Sequence, residues 1–131
     1  MILGVGSDIV SVARIRLALA RHGERFARRI LSPAEWTEFL HVRDQAAFLA
    51  RRFAAKEAAL KALGSGMRRG MSFQHFTVSH DRFGKPQWQL SDNAEQLRQA
   101  LGIDRLHVSI SDEHEFAFAV CIAEGTRPVS I

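Results

Sequence analysis

The 131-residue chain contains one cysteine, three prolines and no apolar run long enough to cross a bilayer. A single thiol, Cys121, excludes an internal disulfide and suits a reducing cytoplasm; it lies in an apolar run and reads as inert packing. The first twenty residues lack the basic start and cleavage site of a signal peptide. There is no C-x-x-C and no H-x-x-x-H, so the six histidines and the cysteine make no zinc site. No G-x-S-x-G and no P-loop is present, and GVGSD near the start lacks the third glycine of a dinucleotide fingerprint. These absences remove the commonest hydrolase, nucleotidase and dehydrogenase readings.

What is present is the composition of one globular domain spanning 1–131, 47% hydrophobic and 24% charged. Net charge is +4, and the excess is uneven. Between positions 14 and 29 stand Arg14, Arg16, Arg21, Arg25, Arg28 and Arg29 against one acid, Glu24. Such a surface calls for an acidic partner.

The dominant stretch is RRFAAKEAALKALGSG at 51–66, the second half of a helix closed by a glycine turn. At 3.6 residues per turn Leu49, Phe53, Lys56, Leu60 and Leu63 share a face. Ala47, Ala50, Ala54, Ala58 and Ala62 share the opposite one, which predicts close packing there too, against another subunit. Lys56 falls inside the apolar stripe and must snorkel or meet an anion. Glu57 and Lys61, four apart, are neighbours. The Gly64-Ser65-Gly66 loop offers backbone N–H groups to a phosphate, or is an ordinary glycine stop.

Positions 2–10 predict the first strand, with Ile2, Gly4, Gly6 and Asp8 on one face. The glycines leave room for a close approach. Asp8 is then a cap or turn residue, or a metal ligand. Ser11 caps a helix over 12–22 whose Arg14 and Arg21 share a face with Leu17 and Ala18, suited to an acidic amphipathic helix. Gly23 bends or ends it. Ser32-Pro33-Ala34-Glu35 predicts another helix start, and the central helix begins near Asp44. After a loop at 67–71, which holds two more arginines and is either phosphate-facing or disordered, come strands at 73–80 and 87–90 about a turn, a helix over 92–102, and a hairpin of 106–112 with 116–122. In that hairpin His107, Ser109 and Ser111 face away from the core. From Gly125 onward the chain predicts a loose tail. The order predicts an α+β fold, an antiparallel sheet packed on one long central helix.

With the zinc, serine and P-loop patterns absent, two carboxylates, Asp8 and Glu57, remain beside lysines and a glycine loop. Few hard oxygen ligands next to phosphate-binding groups suit Mg²⁺ shared with a substrate phosphate. At this point the residues resemble the bacterial holo-acyl-carrier-protein synthases, the small class of 4′-phosphopantetheinyl transferases. GVGSDIVSVARI at 4–15 and RFAAKEAALKALGSG at 52–66 look like that family's two long motifs, and FGKP at 83–86 and HVSISD at 107–112 like two shorter ones. The family's last motif often ends Ser-His; here Asp112 stands in that place.

The resemblance implies transfer of the 4′-phosphopantetheine arm of coenzyme A to a serine of apo acyl carrier protein, serving fatty acid biosynthesis. It implies Mg²⁺ on Asp8 and Glu57, and Lys61 at the leaving phosphate. Glu57 or a metal-bound water takes the serine proton. It implies coenzyme A contacts from Arg52, Lys56, Lys61, Gly64, Ser65, Gly66, Lys85, Pro86, His107 and Ser109. Carrier docking falls to Arg14 and Arg21. It also implies a homotrimer with active sites at subunit boundaries, and no membrane. Two other readings stand beside this one. A nucleic-acid binder would interleave aromatics with the arginines, and only Phe26 does so. A coenzyme A-dependent acyltransferase would need no paired carboxylates.

Overall fold

The computed structural model describes residues 1–68 and 70–126. The elements run β1 (Ile2–Ser11), α1 (Val12–His22), α2 (Glu24–Ile30), α3 (Pro33–Phe39), α4 (Gln45–Leu63), β2 (Phe76–His80), β3 (Pro86–Leu90), α5 (Asp92–Ala100), β4 (Ile103–Asp112) and β5 (Phe116–Gly125). The expected α+β order holds, but the strands form two sheets. β1, β5 and β4 make a three-stranded antiparallel sheet in that order, and β2 and β3 a separate hairpin.

The helix boundaries follow local chemistry. The Ser11 hydroxyl accepts from Arg14 N, and the Asp44 carboxylate accepts from Ala47 N. Ser32 and Glu35 form a reciprocal capping box with Pro33 at the first position. Gly64 ends α4 in the left-handed region at φ +73°. Several stretches differ from expectation; β4, for one, begins at Ile103 and not at 106. Positions 24–30 continue after Gly23 as a separate helix, α2. The strand expected at 73–80 begins only at Phe76, because the Ser72 hydroxyl caps a 3-10 turn over Phe73–His75.

Helix α4 is the centre, with 13 of its 19 residues buried. Its alanine face packs on the chain's own three-stranded sheet, not on another subunit: Ala50, Ala54 and Ala58 are fully buried within one chain. Small residues meet small residues there. The inner positions of β5 are Ala117, Ala119, Cys121 and Ala123, all buried. On β1 the inner positions are Gly4 and Gly6. A Cβ at Gly6 would stand 2.0 Å from the Ala58 carbonyl oxygen, and one at Gly4 2.0 Å from that of Ala62. The strand backbone therefore lies directly on the helix backbone, which only glycine permits.

The alternation leaves the large residues of β5 on the outside. Val5, Ile9, Phe116 and Phe118 are 40–63% exposed on the sheet's outer face. β5 runs three residues further than the sequence predicted, to Gly125, because Gly125 N bonds Met1 O and Thr126 N bonds Gly102 O. The rest of the predicted tail lies outside the described residues.

Candidate functional site

Asp8 projects from the inner face of β1, where Gly4 and Gly6 have brought the strand onto α4. The first helix is capped by Ser11, so Asp8 is free of the capping role. The Lys61 ammonium donates to Asp8 Oδ1 at 3.2 Å and to Ser7 O at 2.8 Å. Glu57, one turn before Lys61, feels the Asp8 charge. Its carboxyl is raised above the usual range, first by burial and then by Asp8, while Lys61 pulls it down. Asp8, Glu57 and Lys61 thus converge from β1 and α4 on one corner. It is partly open: the Asp8 side chain is 20% exposed and that of Lys61 54%.

Among the described residues no three His, Cys, Asp or Glu side chains gather around one point. A cation at this corner would hold two protein carboxylates and complete its shell with substrate oxygens and water. Mg²⁺ favours that ligand set, and two mutually repelling carboxylates favour a cation between them.

The loop after α4 corrects part of the sequence reading. Gly64 N donates to Leu60 O and Lys61 O, and Ser65 N to Leu60 O, so both amides are spent closing the helix. The Ser65 side chain is buried and its hydroxyl donates to Gly66 O. Gly64 and Ser65 therefore give no amide cradle for a phosphate; Gly66 stays exposed at φ +56°. A helix C-terminus carries partial negative charge, so an anion here depends on cationic side chains. Lys61 is one. Arg68, in the arginine-bearing loop at 67–71 that the sequence offers as phosphate-facing, is another among the described residues, its Nε donating to Ser65 O at 3.2 Å. Its neighbour Arg69 lies outside the described residues.

Arg52 and Lys56 are also corrected. Both were expected to touch the ligand, and both are buried, at 3% and 0% exposure. The anion that Lys56 requires is Glu35, on α3. The ammonium donates to Glu35 Oε1 (2.5 Å), Ile30 O (2.6 Å) and Phe73 O (3.1 Å). Arg52 meets Glu35 at 3.5 Å and Glu38 at 3.2 Å, and its guanidinium lies 4.3 Å over the Phe48 ring. Glu35 Oε2 also accepts from Val78 N, closing the cluster. Burial pushes Lys56 down to about 8, against the opposing pull of Glu35. Sequence reasoning saw Glu35 only as a capping residue. The available signal was that a buried lysine demands a buried acid, and Glu35 sits among apolar neighbours.

The remaining candidates lie elsewhere. Lys85, Pro86 and His107 line one cleft of about 450 Å³ along β4, beside Trp88, Arg98 and Arg105. His107 pairs with Ile122 and Val5 across the sheet, and Ser109 with Val120 and Ser7, which puts both on the outer face. Asp8 pairs through Ala119 with Ile110 on the inner face. β1 and β4 are also opposite edges of the sheet. One chain therefore separates the acidic corner from the His107 cleft. Asp112 forms an ion pair with Arg51 of α4 at 3.5 Å. Arg14, Leu17 and Arg21 are exposed on α1, while Arg16 is engaged by Asp44.

Residues 4–121 match the family model described as the 4′-phosphopantetheinyl transferase superfamily. A holo-acyl-carrier-protein synthase of Vibrio cholerae serotype O1 is 52% identical over 124 residues, covering 95% of this chain and 98% of that protein. A protein of the same name from Edwardsiella ictaluri is 50% identical over the same shares. Among solved structures, the holo-acyl-carrier-protein synthase of Neisseria meningitidis superposes with a TM-score of 0.90 at 41% identity, covering 95% of this chain and 99% of that one. The Helicobacter pylori synthase, in complex with coenzyme A, superposes at 0.80 with 34% identity, over 92% and 99% of the two chains.

Proposed function

The chain belongs to the holo-acyl-carrier-protein synthase family of 4′-phosphopantetheinyl transferases, which move the phosphopantetheine arm of coenzyme A to a carrier serine, and we propose that Asp8, Glu57 and Lys61 carry that transfer here. The observation behind this is their convergence from β1 and α4 on one half-open corner. The serine oxygen forms a bond to the β-phosphorus of coenzyme A as the bond to the bridging oxygen breaks. Adenosine 3′,5′-bisphosphate leaves.

Asp8 and Glu57 are the residues that would hold Mg²⁺. When bound, the ion neutralises charge on the pyrophosphate oxygens. Lys61 is half-exposed beside the pair, and its ammonium stabilises the leaving phosphate or gives it a proton. The serine proton leaves toward Glu57, to the carboxylate itself or to a water it holds. Arg14 and Arg21 face solvent on α1 with Leu17 between them, a surface that suits the acidic helix of a carrier.

A homotrimer is supported by two features of the chain. Its outer sheet face exposes Val5, Ile9, Phe116 and Phe118, an apolar area of the kind that marks an interface. The acidic corner and the His107 cleft lie on opposite edges and faces, so a ring of copies brings one subunit's His107, Ser109, Lys85 and Pro86 beside another's Asp8 and Glu57. The coenzyme would then span the boundary. A cytoplasmic setting and a place in fatty acid synthesis complete the proposal. No helix among the described residues is long and apolar enough to cross a membrane.

The test is mass spectrometry of apo acyl carrier protein incubated with coenzyme A, Mg²⁺ and this protein. Addition of the phosphopantetheine arm, stopped by EDTA and restored by Mg²⁺, is the expected result. An unmodified carrier would overturn the reading.

A further inference from the structure

We propose that Lys56 is a positioning residue: it fixes the end of α2, and so the arginine-bearing α1–α2 platform, to the helix that carries Glu57 and Lys61. This rests on the reading of Glu57 and Lys61 above. The ammonium has three protons and three acceptors, each on a different element. They are the Ile30 carbonyl at the last residue of α2, the Glu35 carboxylate of α3, and the Phe73 carbonyl of the 3-10 turn. Nothing of Lys56 reaches solvent, so no ligand competes for those protons.

Apolar contact also holds α2, through Ala27 and Ile30, but apolar contact is weakly directional. A helix on alanine and isoleucine can slide or rotate by an ångström at small cost. A charged hydrogen bond to its terminal carbonyl fixes both distance and angle. Gln74 Nε2 donates to the Arg28 carbonyl, a second tether at the same end. Glu35 in turn is locked by Ser32 N and Val78 N, so the anchor does not move with the helix it holds. Lys56 adjoins Glu57 in α4. The tether therefore ends one residue from the reacting corner, and the docking platform is registered against it. A buried ion pair adds little net stability over apolar residues of equal volume, which leaves registration as its gain.

The experiment is steady-state kinetics of Lys56→Met with apo carrier and coenzyme A, beside thermal melting and calorimetric coenzyme A binding. A cooperative melt, an unchanged coenzyme A affinity, a carrier KM within about twofold and a kcat lower by about 50-fold are expected, since a misplacement near 1 Å costs on the order of 10²-fold. Wild-type kcat in a folded Lys56→Met protein overturns the proposal. So does a loss confined to coenzyme A affinity, which would return Lys56 to the ligand. Should that variant fail to melt cooperatively, Glu35→Gln carries the test. It keeps a neutral acceptor for Lys56, and a several-fold fall in kcat at unchanged KM is expected; wild-type kcat there overturns the proposal. None of these outcomes touches the transfer assay on the native chain, which decides the underlying function by itself.

Discussion

Two lysines of α4, Lys56 and Lys61, each meet a carboxylate, and they do so in opposite ways. Lys56 and Glu35 are closed off, at 0% and 1% side-chain exposure, with every ammonium proton spent inside the protein. Lys61 and Asp8 are open, at 54% and 20%, joined by one longer contact of 3.2 Å. The Lys56 ammonium has no proton left for a ligand. The open corner is under-satisfied: Glu57 is pushed toward its neutral form by burial and by Asp8, and a lone lysine faces two acids. Saturation separates the closed pair from the open one, although both lysines stand on the same helix and meet an acid from another element.

The largest expected effect comes from breaking the open corner. Glu57→Gln lowers the transfer rate by about 10³-fold while the protein stays folded. Substantial activity in this variant would remove Glu57 from the site. Its stability should change in an informative direction. The Glu57 carboxyl is raised in the native state, so its contribution is favourable at low pH and is lost as pH rises through the native value. Metal-free Glu57→Gln should therefore melt higher than the parent at pH 7, and the gain should vanish below about pH 4, where both states carry a neutral acid.

Lys61→Met comes next, with a kcat lower by about 10²-fold and a stability change under about 1 kcal/mol, as for an exposed pair. A large loss of stability instead would make Lys61 resemble Lys56 and erase the contrast. Gly6→Ala attacks the geometry beneath the corner. The added methyl meets the Ala58 carbonyl, so a loss of about 3 kcal/mol in denaturant unfolding is expected, with activity falling as β1 lifts from α4. The closed cluster, further from β1, should survive. The smallest effect is on docking. Arg14→Glu with Arg21→Glu should raise the carrier KM about 10-fold, less at high salt, and leave coenzyme A affinity alone. An unchanged carrier KM would place docking elsewhere.

Much of this was legible in the sequence because it is local. Ser11, Asp44, Gly64 and the Ser32–Glu35 box announce their helix ends within four residues, and the caps stand where the pattern put them. The meeting of β1 with α4 was foreshadowed by glycines on one strand face. What failed was non-local. Periodicity showed that α4 is apolar on two sides, but not that the chain's own β1 and β5 cover the alanines. Lys56 clearly needed an anion, but its partner lies 21 residues away on another helix. The glycine loop is the local exception: of its two readings, phosphate cradle or ordinary helix stop, Gly64 and Ser65 take the second, their amides bonded back to Leu60 and Lys61. The separation of His107 and Ser109 from Asp8 follows from strand order and register, which one strand's alternation does not contain.

The position of Cys121 on the helix-facing side of β5 has a chemical outcome. Coenzyme A and the finished carrier both end in a free thiol, so this protein works among sulfhydryls and their oxidised forms. Its own sulfur is fully buried and pushed up to about 12 by burial, which leaves roughly one thiolate in 10⁵ at neutral pH. Mixed disulfides with oxidised substrate have neither an attacking anion nor an approach path. The protein handles thiol-bearing molecules while remaining inert to exchange with them.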